Sequence, residues 1–104
     1  GSYGGTRYLE ESTVNLFTRT GSSDGRRKLG FDGYDIHNGK KYPSQRAGSE
    51  IFGHTGYTGT CVWADPQKNM IYVFLSNRTI TGSSNMLNRT EVRQNILDVI
   101  YEAM

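Results

Sequence analysis

A single cysteine, Cys61, excludes an intrachain disulfide and any metal cage built from several thiolates. Set between Thr60 and Val62 in a β-rich run, it reads as a small interior strand residue. No run of eighteen or so apolar residues is present, so nothing in the sequence reads as a membrane span, and the glycine-rich start lacks the organisation of a signal peptide. Concentrated positive charge is also missing. Apart from Arg26, Arg27, Lys28 and Lys40, Lys41, which sit near glycine-rich turns and read as solvated loops, the basic residues are scattered and the formal net charge is only +2. A nucleic-acid binder needs a basic face with interleaved aromatics, so no nucleic-acid partner is expected. Gly53 to Gly59 lacks the Gly-Lys-Ser/Thr ending of a phosphate loop. His37 and His54 with Asp32 and Asp35 match no metal-ligand spacing, so neither metal nor cofactor is expected. Apolar residues are scarce too, at 35%, with a mean hydropathy of -0.62. That is little for 104 residues that must close their own core, and a missing partner segment accounts for it.

What is present favours strands. Thirteen glycines and seven tyrosines against two prolines suit tight turns and aromatic sheet faces. Leu9 to Arg19 fits a short helix, with Glu10, Glu11 and Ser12 at its start and Val14 and Phe17 on one face. Leu29 to Tyr34 is a short strand candidate, and residues 35–49 read as a surface loop bending at Tyr42 and Pro43. Strands follow near 50–56, 59–65 and 70–77, the last two joined by the turn signal Asp65-Pro66-Gln67-Lys68-Asn69. Ile71, Val73 and Leu75 alternate with Tyr72, Phe74 and Ser76, so the last strand is apolar on both faces and is expected to be central and covered on each side. From Thr90 the residues Val92, Ile96, Val99, Ile100 and Ala103 recur at helical spacing, a stripe expected to pack on the sheet. The fold class is α+β, an antiparallel sheet with a C-terminal helix across one face. With so little apolar cover, sheet edges and part of a sheet face should lie open, which invites a homodimer through an exposed edge.

The chemistry concentrates in Gly53-His54-Thr55-Gly56-Tyr57-Thr58-Gly59-Thr60. Gly56 removes a side chain and lets a substrate backbone approach the strand, whose edge offers amides and carbonyls to an extended peptide. Thr55 adds a hydroxyl that can donate to a carboxylate. A histidine side chain can be charged or neutral near neutral pH, so His54 can hold an anion or move a proton.

This segment, followed by Cys61-Val62-Trp63-Ala64-Asp65-Pro66 and Ile71-Tyr72-Val73-Phe74-Leu75-Ser76-Asn77-Arg78, resembles the third motif of the serine β-lactamase and penicillin-binding family. There Lys-Thr-Gly or His-Thr-Gly lies on a strand lining the site, followed by two antiparallel strands and a closing helix. Residues 50–104 carry the match. The resemblance implies that the Tyr57 amide is one of two oxyanion-hole donors, that His54 is catalytic, and that Thr55, Gly56 and Thr58 meet the substrate. Histidine in the first motif position is more typical of esterase-like and D-amino-acid peptidase members than of true β-lactamases. The substrate classes implied are D-amino-acid peptides, β-lactams or small esters, attacked through an acyl-serine. Family resemblance also implies a bacterial protein acting in the periplasm or outside the cell.

The first two family motifs are absent: the sequence contains neither Ser-x-x-Lys nor Tyr-x-Asn. Residues 1–104 are therefore expected to be a single C-terminal fragment of such a domain, its main partner being the upstream part of the same domain, and not to catalyse alone. A degenerate homologue is the other explanation. The rival function is a noncatalytic peptide-binding or assembly module using its strand edge. Gly21-Ser22-Ser23-Asp24-Gly25 spells a nucleophile elbow, but that motif needs a strand before it and a helix after it, so Ser23 reads as a loop residue. Ser83-Ser84-Asn85 imitates a second motif on the wrong side of His54 and reads as polar loop. Asn77-Arg78-Thr79 and Asn88-Arg89-Thr90 match the glycosylation acceptor pattern, which matters only in a eukaryotic secretory setting.

Overall fold

The computed structural model describes residues 1–21, 23, 25–80 and 91–104. A two-stranded ribbon, β1 (Ser2–Tyr3) with β2 (Thr6–Arg7), precedes helix α1 (Glu11–Arg19). Glu10 caps α1 by position only, since its carboxylate is turned back to Arg7 at 2.8 Å. No residue of α1 is fully buried, and the Arg19–Glu50 ion pair at 2.9 Å ties its end to the rest of the chain.

Strands β3 (Asp32–Gly33), β6 (Phe52–Thr55), β7 (Cys61–Asp65) and β8 (Met70–Phe74) form an antiparallel sheet in the order β3-β6-β7-β8. Between β3 and β6 lies a hairpin of β4 (Asp35–His37) and β5 (Lys40–Tyr42), where a loop was expected. Its Asn38-Gly39 turn holds φ of 50° and 76°, the pair of positive values that Asn-Gly adopts in a two-residue hairpin. The basic run 26–28 is not wholly solvated either. Arg26 and Arg27 pair with the buried Asp32 carboxylate at 3.2 and 2.5 Å, and the Arg26 guanidinium lies 4.8 Å from the Tyr42 ring centre.

Helix α2 (Val92–Ala103) covers one face of the sheet. Register sets that face: Gly53, Trp63 and Tyr72 stand in one row, and Thr55, Cys61 and Phe74 in the next. Ile51, Trp63, Tyr72 and Cys61 close the core with Ala47 and Leu97. Tyr42 meets Trp63 edge-on at 5.3 Å. Gly53 is required by this packing, because a β-carbon there would lie 2.0 Å from the Val62 carbonyl oxygen and 2.7 Å from the Trp63 ring.

The expected helix stripe is rotated. Leu97 is the one fully buried residue of α2, whereas Ile96 is 38% and Val99 62% exposed. Polar anchors fix this rotation. The Tyr72 hydroxyl donates to the Arg93 carbonyl at 3.3 Å, Asp98 accepts from the Ser44 hydroxyl and the Gln45 N–H, and the Tyr101 hydroxyl donates to Asp65 at 2.5 Å. Asp65 itself is 1% exposed, and its other oxygen accepts from the Gln67 and Lys68 amides, which builds the Asp-Pro turn between β7 and β8.

Strand β8 also departs from expectation: among the described residues it is a sheet edge, and only one of its faces is covered. Ile71 and Val73 are 73% and 57% exposed on the face away from α2. The apolar character of both faces was readable, but nothing among the described residues lies against the second.

Candidate active-site strand and turn

Strand β6 divides the predicted residues between the two sheet faces. His54 pairs across the sheet with Val62 on the open face and is exposed, while Thr55 pairs with Cys61 on the α2 side and is half-buried. The His54 Nδ1 lies 2.8 Å from the Thr55 carbonyl oxygen. A carbonyl can only accept, so Nδ1 carries the hydrogen and, in the neutral ring, Nε2 holds the free lone pair. That is the tautomer a proton acceptor needs. Strand β3 pairs with β6 only at Phe52 and Gly53, which leaves the β6 backbone at His54 and Thr55 without a β3 neighbour.

After Thr55 the chain turns through residues 56–60. The Gly56 N–H donates to the Thr60 carbonyl at 2.8 Å, and the Gly59 N–H to the Gly56 carbonyl at 3.0 Å. Gly59 has φ of 96°, which a side chain would strain. Gly56 has a second reason to be glycine besides substrate approach, since a β-carbon there would meet the Thr60 hydroxyl at 2.3 Å. The Tyr57 N–H takes part in neither turn bond, and the residue is 80% exposed. The Gly56–Tyr57 peptide that carries this N–H has its own carbonyl hydrogen-bonded by Gly59, an arrangement that polarises the amide toward donation.

Three carbonyls of the turn are taken up from other elements. Tyr57 O accepts from Arg78 Nε at 2.5 Å, Thr58 O from the Arg78 N–H at 2.9 Å and the Ser76 hydroxyl at 3.3 Å, and Gly59 O from Arg93 Nη1 at 3.0 Å. The Arg78 guanidinium also lies 4.8 Å from the Tyr57 ring centre. Thr58 thus supports the turn through its carbonyl, and its side chain is half-buried. The sequence reading gave Ser76, Arg78 and Arg93 no part in the site. Continuing the β7–β8 register past Cys61↔Phe74 puts Arg78 opposite Tyr57, and that was the available signal.

A cavity also lies elsewhere among the described residues. About 420 Å³ opens between the β4–β5 hairpin and the start of α2, where Arg26, Lys40 and Lys41 face Asp35, Glu91 and Asp98. None of the five predicted site residues lines it, and its charges balance. Cys61 is buried, and burial pushes its thiol pKa up, which keeps the sulfur protonated and inert. No group of acidic, histidine or cysteine side chains suited to a metal ion occurs among the described residues. Ser23 is exposed in a turn that comes after helix α1 in the chain. Ser83-Ser84-Asn85 and Asn88-Arg89-Thr90 lie outside the described residues. At Asn77 the side-chain oxygen accepts from the Thr79 N–H and hydroxyl, a local Asx turn.

The family model described as Beta-lactamase matches residues 3–95. The chain belongs to the β-lactamase family. Among curated proteins it is similar to one named "Putative D-alanyl-D-alanine carboxypeptidase" from Salmonella paratyphi B and to its namesake from Salmonella newport, each 35% identical over 85 residues. The namesake from Salmonella gallinarum is 33% identical over the same length. These alignments cover 82% of this chain but 20% of each relative, so the chain spans about a fifth of the length of the curated relatives it matches. No solved structure matches it significantly. In this β-lactamase-family chain the sequence His54-Thr55-Gly56 lies on β6 and its turn.

Proposed function

We propose that this chain is one wall of a serine acyl hydrolase, the C-terminal part of a longer parent that supplies Ser-x-x-Lys and Tyr-x-Asn from upstream. The reading rests on one observation: an exposed His54 with its Nε2 lone pair free stands at the end of β6, and the next turn leaves the Tyr57 N–H out of its own hydrogen bonds. Acyl transfer needs a nucleophile, a proton acceptor and oxyanion donors. In this reading the parent serine attacks the acyl carbon, its proton passes to a base that His54 forms or assists, and the Tyr57 N–H with the serine's own N–H binds the oxyanion. The side of β6 that β3 leaves open at His54 and Thr55 takes an extended peptide, with Thr55, Gly56 and Thr58 against it. The names of the relatives favour peptides ending in D-alanine among the three substrate classes, over β-lactams and small esters. The parent acts in the periplasm or outside the cell. The open face carrying Val62, Ile71 and Val73 takes the upstream part of the domain, and in its absence the exposed β8 edge supports a homodimer.

Steady-state kinetics of the longer parent with nitrocefin, a p-nitrophenyl ester and a D-Ala-D-Ala peptide test the assignment. His54→Ala is expected to lower kcat by about 10²- to 10⁴-fold if His54 assists proton transfer. A rise confined to KM would make it an anion-binding group instead. An unaffected variant would remove His54 from the site.

A further inference from the structure

We infer that Arg78 is a positioning residue for the oxyanion donor, an assignment that rests on the Tyr57 amide serving as that donor. Two rigid peptide planes meet at Tyr57, one carrying its N–H and the other its carbonyl. The Gly59 bond to the Gly56 carbonyl holds the plane that carries the N–H, and the aim of that plane relative to the sheet depends further on what holds the Tyr57 carbonyl, the next peptide and the side chain. Arg78 holds all three. Its Nε donates to the Tyr57 carbonyl at 2.5 Å, its backbone N–H to the Thr58 carbonyl at 2.9 Å, and its guanidinium lies 4.8 Å from the Tyr57 ring centre. The contacts come from beyond the end of β8, so the turn is referenced to the sheet and not only to its own two hydrogen bonds. Arg93 adds one fixed point further on, at the Gly59 carbonyl.

Lysine cannot replace this. A guanidinium combines an Nε donor with a flat surface that stacks on an aromatic ring, whereas an ammonium offers only a point charge on a flexible stem. Positioning and substrate-anion binding by Arg78 therefore predict different outcomes for one pair of variants. Loss of an oxyanion donor outright costs about 10²- to 10³-fold in kcat, which sets the ceiling for an amide that is merely misaimed.

The test uses the longer parent carrying Ser-x-x-Lys, with a neutral p-nitrophenyl ester and an anionic D-Ala-D-Ala peptide as substrates and a small aryl boronic acid as tetrahedral mimic. Expected for both Arg78→Ala and Arg78→Lys is a fall in kcat of about 10- to 100-fold, equal for the two substrates, with KM within about twofold. The Tyr57 amide proton, followed by ¹⁵N–¹H NMR, should move on boronate addition to the wild type and move less in the variants. Should Arg78→Ala fail to fold, Arg78→Lys carries the same comparison. Unchanged kcat with a normal boronate response would overturn the role of Arg78 while leaving the Tyr57 assignment standing. A loss seen only with the anionic peptide, in KM and restored by lysine, would make Arg78 an anion-binding residue and overturn positioning. A wild-type Tyr57 amide that ignores the boronate would overturn the oxyanion assignment and, with it, this one.

Discussion

The two faces of the four-stranded sheet are built from the same strands, one residue out of phase, and meet opposite fates. Gly53, Trp63 and Tyr72 stand in a row under α2 and are almost closed to solvent. One position along, Val62 and Val73 stand beside His54, and they are 43% and 57% exposed. Helix α2 repeats the contrast, with Leu97 at 1% exposure toward the sheet and Ile96 and Val99 lining an open apolar groove with Ile100. Apolar patterning thus marks which surfaces are meant to be covered, while only the polar anchors on Asp65, Asp98, Tyr72 and Arg93 show which cover is in place. The open sheet face is also the face on which His54 stands.

Neighbouring helix residues give the sharpest way to break this comparison. Leu97→Asp should unfold the chain, since truncation of such a residue alone costs about 2–5 kcal/mol, whereas Ile96→Asp should cost about 1 kcal/mol or less. Urea denaturation of the two variants checks it, and a reversal of the order would put the wrong side of α2 on the sheet. Gly53→Ala comes next. Its β-carbon has no room against the Val62 carbonyl and Trp63, and overpacking of this kind costs about 1–3 kcal/mol or more. Tyr101→Phe should cost about 1–3 kcal/mol by leaving a buried Asp65 oxygen without its donor, measured by the shift in denaturation midpoint.

Alkaline pH addresses the covered face as a whole. Burial raises the pKa of Tyr42, Tyr72, Tyr101 and Cys61, and for Tyr101 the Asp65 hydrogen bond and charge raise it further. Between the unfolded and folded pKa values the folded state keeps protons that the unfolded chain has lost, so stability falls as pH rises. The window opens near pH 9 with the thiol and near pH 10 with the phenols. A thermal midpoint lower at pH 10.5 than at pH 8 is expected, and an unchanged midpoint would mean these groups are not buried as described. The smallest effect belongs to the open face: Val73→Thr should shift the stability of this chain by no more than about 0.5 kcal/mol, measured in urea. A cost comparable to a core substitution would show that this face is covered after all.

Much of this was legible in the sequence, and the gaps have physical causes. The Tyr57-Thr58-Gly59 turn, the Asp65-Pro66 turn and the alternation from Met70 located β6, β7 and β8 to within a few residues, because tight turns bound strands and sheet faces repeat every second residue. The β4–β5 hairpin was missed although Asn38-Gly39 is a strong hairpin turn, since Asp35-Ile36-His37 and Lys40-Lys41-Tyr42 offer no apolar alternation around it. The rotation of α2 was beyond periodicity, which detects an apolar side but cannot say which of two such sides meets the sheet. His54 to Thr58 were found as a motif on one strand and its turn. Arg78 was not, because its partnership with Tyr57 spans 21 residues and exists only once the register of β7 and β8 is known.

The central claim is that this chain carries the oxyanion and histidine wall of an acyl-serine enzyme but not its nucleophile. Intact-mass spectrometry after brief exposure to an activated ester or a penicillin tests it most directly, with this chain and the longer parent run side by side. The account predicts one acyl adduct on the parent, mapping to the serine of Ser-x-x-Lys, and none on residues 1–104. A stoichiometric acyl adduct on this chain alone, or a parent that stays unmodified, would contradict it.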